Sequence, residues 1–118
     1  MNILMALSQL EITGAEVYAT TIADELIERG NKVYIVSDTL TTPTKAEYIK
    51  LEFNKRSLIK RIEHIKFLYK LIKEKDIQIV HAHSRASSWS CQVACKLAGI
   101  PLITTTHGRQ PIHFSRKL

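Results

Sequence analysis

Gln78-Ile79-Val80-His81-Ala82-His83-Ser84-Arg85 is an apolar run that ends abruptly in groups able to bind anions or move protons. Its β-type residues, with no Gly or Pro among them, suit a parallel strand covered on both faces. Side chains alternate along such a strand, so His81 and His83 fall on the same face. In an open parallel sheet, ligands gather beyond the carboxyl ends of the strands. The stretch therefore predicts a central strand over residues 77–82 that hands over to a ligand loop. The fold then depends on which other loops reach the same edge.

Upstream, residues 2–7 predict a first strand and residues 8–13 a polar turn. Gly14 gives the backbone freedom there before a helical pattern starts at Ala15. Val17, Ala19, Ile22, Ala23, Leu26 and Ile27 recur at helical spacing until Gly30-Asn31 stops the helix. Residues 32–36 form the second predicted strand and 37–44 a loop. Over 48–53 apolar and polar side chains alternate, as in a half-exposed edge strand, although a short helix from Lys45 fits as well.

Residues 56–75 carry the clearest helical pattern, with Leu58, Ile62, Ile65, Tyr69 and Ile72 as the expected buried stripe. The opposite face holds Arg56, Lys60, His64, Lys70 and Glu74 together with Phe67 and Leu71. It reads either as a solvated face with two tolerated apolar residues or as a membrane-surface helix, lysines on anionic headgroups and Phe67 and Leu71 in the interface. Downstream of the central strand, Ser84 or Ser87 can cap a helix that runs to about Ala98, where Gly99-Ile100-Pro101 ends it before a last strand at 101–105. Strands joined by right-handed crossovers in this sequence give an α/β, Rossmann-like, doubly wound parallel sheet in the order 3-2-1-4-5.

The 118 residues, 45% hydrophobic, are enough for the core of one domain spanning 1–118. No apolar run approaches the roughly 20 residues that cross a bilayer, and the first residues lack the basic region of a signal peptide, so a cytoplasmic chain is expected. Cys91 and Cys95 lie one helical turn apart, a spacing that fits neither a zinc knuckle nor a redox pair; with Ala94 and Ala98 they predict a small-residue packing stripe. Charge is unevenly spread: residues 1–54 hold four basic and eight acidic groups, 55–75 hold eight and two, and beyond Asp76 there are five basic groups and no acidic one. The second half of the chain thus favours anionic ligands or surfaces. Nucleic acid is not expected, because 55–75 lacks the aromatic platforms or motif that would read it.

Three loops converge on the predicted edge, at residues 8–16, 81–85 and 106–109. Gly14 lets backbone amides approach an anion, Arg85 and Arg109 can grip phosphate or carboxylate, and His81, His83 and His107 can handle protons near neutral pH. His81 precedes the strand end and reads as structural, whereas His83 and His107 sit at loop positions where exposure is cheap. A zinc site from His81, His83 and His107 lacks a nearby carboxylate or Cys, and no metal is expected. Neither a nucleophile elbow nor G-x-G-x-x-G is present.

Three blocks of sequence together carry a family resemblance: Asn2-Ile3-Leu4 followed by Thr13-Gly14-Ala15-Glu16; Asp76 through His81-Ala82-His83-Ser84; and Gly99-Ile100-Pro101-Leu102-Ile103-Thr104-Thr105-Thr106-His107-Gly108. The chain resembles the N-terminal domain of family 4 retaining glycosyltransferases, which have the two-domain GT-B architecture. The resemblance implies that Gly14 lies against the diphosphate of a nucleotide-diphosphate sugar, the donor substrate, with Arg109 on the same group and no cofactor permanently bound. Thr13 stands where relatives often show a second glycine, beside the acceptor. His107 corresponds to the histidine that faces the transferred sugar, and His83, Ser84 and Arg85 match the acceptor-side loop.

The same resemblance implies that the C-terminal donor-binding domain, with its E-x7-E motif, is absent, and that the N-terminal domain stops early. The chain alone is then not expected to transfer sugar. A partner chain carrying the donor half, or self-association, is then one expectation, with a membrane glycolipid or surface polysaccharide as acceptor; where the charge pattern of 55–75 is read as a membrane-surface helix and not as a solvated face, it adds a peripheral position at the inner face of an anionic membrane. The rival expectation is a non-catalytic Rossmann-like module that binds a phosphorylated ligand or a partner chain.

Overall fold

The computed structural model describes residues 1–7, 14–52, 58–83 and 85–104. Strands β1 (Asn2–Ala6), β2 (Lys32–Ser37), β3 (Glu47–Lys50), β4 (Ile79–Ala82) and β5 (Leu102–Thr104) alternate with helices α1 (Gly14–Glu28), α2 (Leu58–Glu74) and α3 (Arg85–Ala98), α1 following β1, α2 following β3 and α3 following β4. The five strands form one parallel sheet in the order β3-β2-β1-β4-β5, as the crossover rule predicts. The alternation at 47–50 resolves as the edge strand β3 and not as a helix from Lys45. Leu51 adds one more rung, its N–H donating to the Ser37 carbonyl at 3.0 Å.

Alternation along the strands divides the core in two. Ile3, Met5, Leu7, Val33 and Ile35 face Ala19 and Ala23 of α1. Leu4, Ala6, Tyr34, Val36, Val80, Ala82 and Leu102 face α2 and α3, where Leu68, Leu71, Ile72, Cys91, Ala94 and Cys95 complete the layer. The cysteines are free and buried, as packing residues; burial pushes both thiols up, Cys95 to about 12. Val17, although in register with the apolar positions of α1, is exposed.

The face that α2 buries matches the expected one only in part: Ile72 is buried and Ile65 half-buried as expected. His64, Leu68, Leu71 and Ile72 point inward, whereas Ile59 is 70% and Ile62 46% exposed, and Tyr69 lies at the surface. The cause is compositional: α2 has large apolar residues on almost every side, so its periodicity selects no single stripe. The small Cys91 and Ala94 surface of α3 then decides which one is covered. His64 and Leu71 accordingly belong to the interior, and Leu71 cannot reach a membrane. Both α1 and α2 end in a six-to-one turn, Asn31 N–H to Leu26 O at 3.0 Å and Ile77 N–H to Ile72 O at 2.9 Å. Gly30 takes the left-handed residue in the first; Asp76, at φ 51°, takes it in the second, one residue after the expected helix end. Asn2 closes the far edge of the sheet, its amide donating to the Lys75 and Asp76 carbonyls.

Candidate functional site

The connection from β1 returns on one face of the sheet and the connection from β4 on the other. Adjacent parallel strands that part in this way leave a crevice beyond their carboxyl ends. The His83 N–H donates to the Ala6 carbonyl at 2.8 Å, which carries the β4 pairing one residue past Ala82 and fixes His83 at the mouth of the crevice. Gly14 begins α1 on one side and Arg85 begins α3 on the other, so two helix N-termini, whose first N–H groups have no acceptor within the helix and carry the positive end of its dipole, flank the two histidines. Such an edge suits a phosphorylated or carboxylated ligand.

The rings of His81 and His83 lie 3.9 Å apart between centroids, tilted by 31°, and the Tyr18 ring from α1 meets His83 edge-on at 6.0 Å. The shared face expected from alternation is thus present. The expected exposures are reversed: His83 is 2% exposed and His81 half-buried. The added rung to Ala6 is the reason, because it turns the His83 side chain under Tyr18 instead of releasing it into a loop. Gly14, His83 and Arg85 are brought to one edge. Thr13, Ser84, His107 and Arg109 lie outside the described residues. Ser87 sits within α3 and is not its cap. Among the described residues, no three His, Cys, Asp or Glu side chains converge as metal ligands.

A carboxylate with a larger part than its sequence position suggested is Glu16. It is 0% exposed, and its Oε1 accepts hydrogen bonds from the backbone N–H groups of Thr41 at 3.1 Å and Thr42 at 2.7 Å and from both threonine hydroxyls. Farther along α1, Asp24 accepts from the Thr44 hydroxyl at 2.6 Å and the Lys45 N–H at 2.8 Å. The loop between β2 and β3 is therefore fastened along α1 as it crosses from the carboxyl to the amino end of the sheet, with Thr41 and Thr42 held at the first turn of α1, the end nearer the crevice. The signal in sequence was an acidic residue opening a helix and a threonine-rich loop with hydroxyls to spare; what sequence did not show was that they meet.

Beside that loop the Tyr48 hydroxyl donates to the Ser37 carbonyl at 3.0 Å, and burial, with Asp38 and Glu16 adding to it, raises its pKa. A cleft of about 430 Å³ opens two strands away from the crevice, between residues 50–52 and the first turns of α2, with His64 and Phe67 in its wall.

The sequence model of Glycosyltransferase Family 4 matches residues 12–118. The chain belongs to Glycosyltransferase Family 4. Over 74 residues it is 34% identical to the UDP-Gal:alpha-D-GlcNAc-diphosphoundecaprenol alpha-1,3-galactosyltransferase of Escherichia coli, a match that covers 62% of this chain and 19% of that protein. A glycosyltransferase of Rickettsia africae superposes with a TM-score of 0.79 at 26% identity, over 95% of this chain and 31% of that one. Acinetobacter baumannii MurG superposes at 0.69 with 15% identity, over 90% of this chain and 35% of its own, a likeness of fold. This member of Glycosyltransferase Family 4 thus spans about a fifth of the curated relative's length and about a third of each of these structures.

Proposed function

We propose that this chain is the acceptor-side, N-terminal half of a retaining glycosyltransferase that uses a nucleotide-diphosphate sugar, with a membrane glycolipid or surface polysaccharide as acceptor. The observation that carries the reading is the β1/β4 crevice, flanked by the starts of α1 and α3, in a chain matched by Glycosyltransferase Family 4 over residues 12–118. The diphosphoundecaprenol acceptor in the name of the Escherichia coli relative supports a lipid-linked substrate. In this reading Gly14 and Arg109 lie against the donor diphosphate, Thr13, His83, Ser84 and Arg85 line the acceptor side, and His107 faces the sugar being transferred. Transfer then depends on positioning of the acceptor hydroxyl and on electrostatic stabilisation of the departing diphosphate.

The donor half is supplied by a further domain or a partner chain, and the 118 residues alone turn over no substrate. The enzyme works in the cytoplasm, at the inner face of the membrane. The test is transfer from UDP-sugars to a lipid-diphosphate sugar by the chain reconstituted with a family donor domain. His107→Ala is expected to lower kcat by about a hundredfold or more; unchanged turnover removes His107 from the site. Transfer by the 118 residues without any donor domain overturns the half-enzyme reading.

A further inference from the structure

The cleft between the carboxyl end of β3 and the first turns of α2 is separate from the β1/β4 crevice and has a lining of its own. Lys50, Leu51 and Glu52 form its strand wall, and Lys60, Glu63, His64 and Phe67 its helix wall, around about 430 Å³. That volume lies toward the small end of ligand pockets, which run to about 300–1,000 Å³. The walls are fixed by the fold. His64, 5% exposed, hydrogen-bonds to the Glu52 backbone and so ties the helix wall to the strand wall, while the Leu51 N–H, on the Ser37 carbonyl at 3.0 Å, holds the strand wall to β2. Phe67, in contrast, stays 37% exposed and leaves part of an aromatic side chain open to solvent.

The charge of this cleft is balanced. Two lysines and two glutamates line it, all four exposed, and Lys60 and Glu63 are themselves paired at 3.2 Å. The crevice differs, since two helix N-termini there favour an anion. An anion in the cleft would lose to the glutamates what it gained from the lysines, whereas a neutral hydroxylated ligand meets strong donors and strong acceptors side by side. Phe67 adds an apolar wall for the C–H face of a sugar ring, a contact that removes apolar surface from water. Position adds a further condition. β3 ends at the carboxyl edge of the sheet, the edge that holds the crevice, two strands from β1 and so roughly 10 Å from it at the usual strand spacing. A short oligosaccharide spans that gap; a single sugar ring does not.

We infer that this cleft is a second carbohydrate subsite, which takes a neutral sugar ring of the acceptor distant from the reacting hydroxyl, packed on Phe67 and hydrogen-bonded by Lys50, Glu52, Lys60 and Glu63. The acceptor is then longer than one sugar, and its chain runs along the sheet edge from the crevice toward β3. The role in holding an acceptor rests on the transferase reading above; the binding of a neutral sugar ring does not.

The isotope-labelled 118-residue chain is titrated in an NMR experiment with three neutral trisaccharides, maltotriose, globotriose and chitotriose, and with inorganic pyrophosphate as the anionic probe. Saturable shifts at Leu51, His64 and Phe67 with at least one trisaccharide, and none there with pyrophosphate, are the expected result. Phe67→Ala is expected to weaken that binding about tenfold, and Glu63→Gln to weaken it less. The melting temperature of each variant is checked so that loss of fold is not read as loss of binding. No shift at the cleft with any trisaccharide, shifts there with pyrophosphate instead, or binding indifferent to both changes overturns the inference. In the reconstituted enzyme, Phe67→Ala is expected to lower the ratio of kcat/KM for a trisaccharide-bearing lipid acceptor over a monosaccharide-bearing one about tenfold; an unchanged ratio overturns the acceptor role. Trisaccharide binding without any turnover by the wild-type enzyme would instead overturn the transferase reading, and with it the acceptor role, and leave a sugar-binding cleft.

Discussion

Glu16 shows how much a single side chain can do at the end of a sheet. Its carboxylate, itself buried, gathers two backbone and two hydroxyl donors from the exposed Thr41 and the half-buried Thr42. Truncation would remove hydrogen bonds to a charged acceptor and leave the partly exposed donors to water, so Glu16→Ala is expected to cost about 1–3 kcal/mol in a urea unfolding curve, and Glu16→Gln, which keeps one acceptor oxygen, less. His64 makes a different kind of contribution. Burial lowers its pKa below the ordinary 6.5, offset in part by the Asp38 carboxylate and a hydrogen bond to the Glu52 backbone. The unfolded chain thus takes up a proton at His64 that the folded chain resists. The associated stability is complete above pH 6.5 and declines as the pH falls below it toward the folded value. Thermal unfolding of wild type and His64→Gln across pH 5–8 should show the acid-side slope flattened in the variant. Neither residue announced its role in sequence. The nature of a buried polar group is set by partners that are distant along the chain, here 25 residues away for Glu16 and Thr41.

Among the elements, the strands were the easiest to read and α2 the hardest. The boundaries of β1, β2 and β4 follow from short β-rich runs bounded by polar or Gly positions, and the helix stops at Gly30 and Gly99 follow from backbone freedom at those sites. For α2 the pattern supplied a helix but not its orientation, since Ile59, Ile62 and Tyr69 compete with Leu68, Leu71 and Ile72 for the same inward direction. Substitution distinguishes the two arrangements. Leu68→Ala is expected to cost about 2–5 kcal/mol, as for a large core residue cut back, and Ile62→Ala to stay within about 0.5 kcal/mol. Equal costs measured by chemical denaturation would mean that the helix is rotated from the orientation described. The edge strand β3 was legible as an alternation over 48–53; among the described residues Glu47–Lys50 pair with β2 and Leu51 adds one hydrogen bond to Ser37.

At the scale of the whole molecule, the order β3-β2-β1-β4-β5 was deducible because handedness leaves few alternatives once the elements are known. The same topology grades local stability. β1 is paired on both sides and buried on both faces, whereas among the described residues β3 and β5 each pair with one neighbour. Amide hydrogen exchange is therefore expected to be slowest at Leu4 and Met5 and fastest in β3; uniform protection across the strands would count against this ranking. The central place of β1 also has a consequence for synthesis. Asn2 and Gln78, which meet at the start of the β1/β4 pair, are 76 residues apart. A nascent chain in which β1 has joined β2 would keep an open hydrogen-bonding edge on β1 until β4 has been translated and released. The rate of elongation through α2 would then bear on how many chains escape edge-to-edge misassembly.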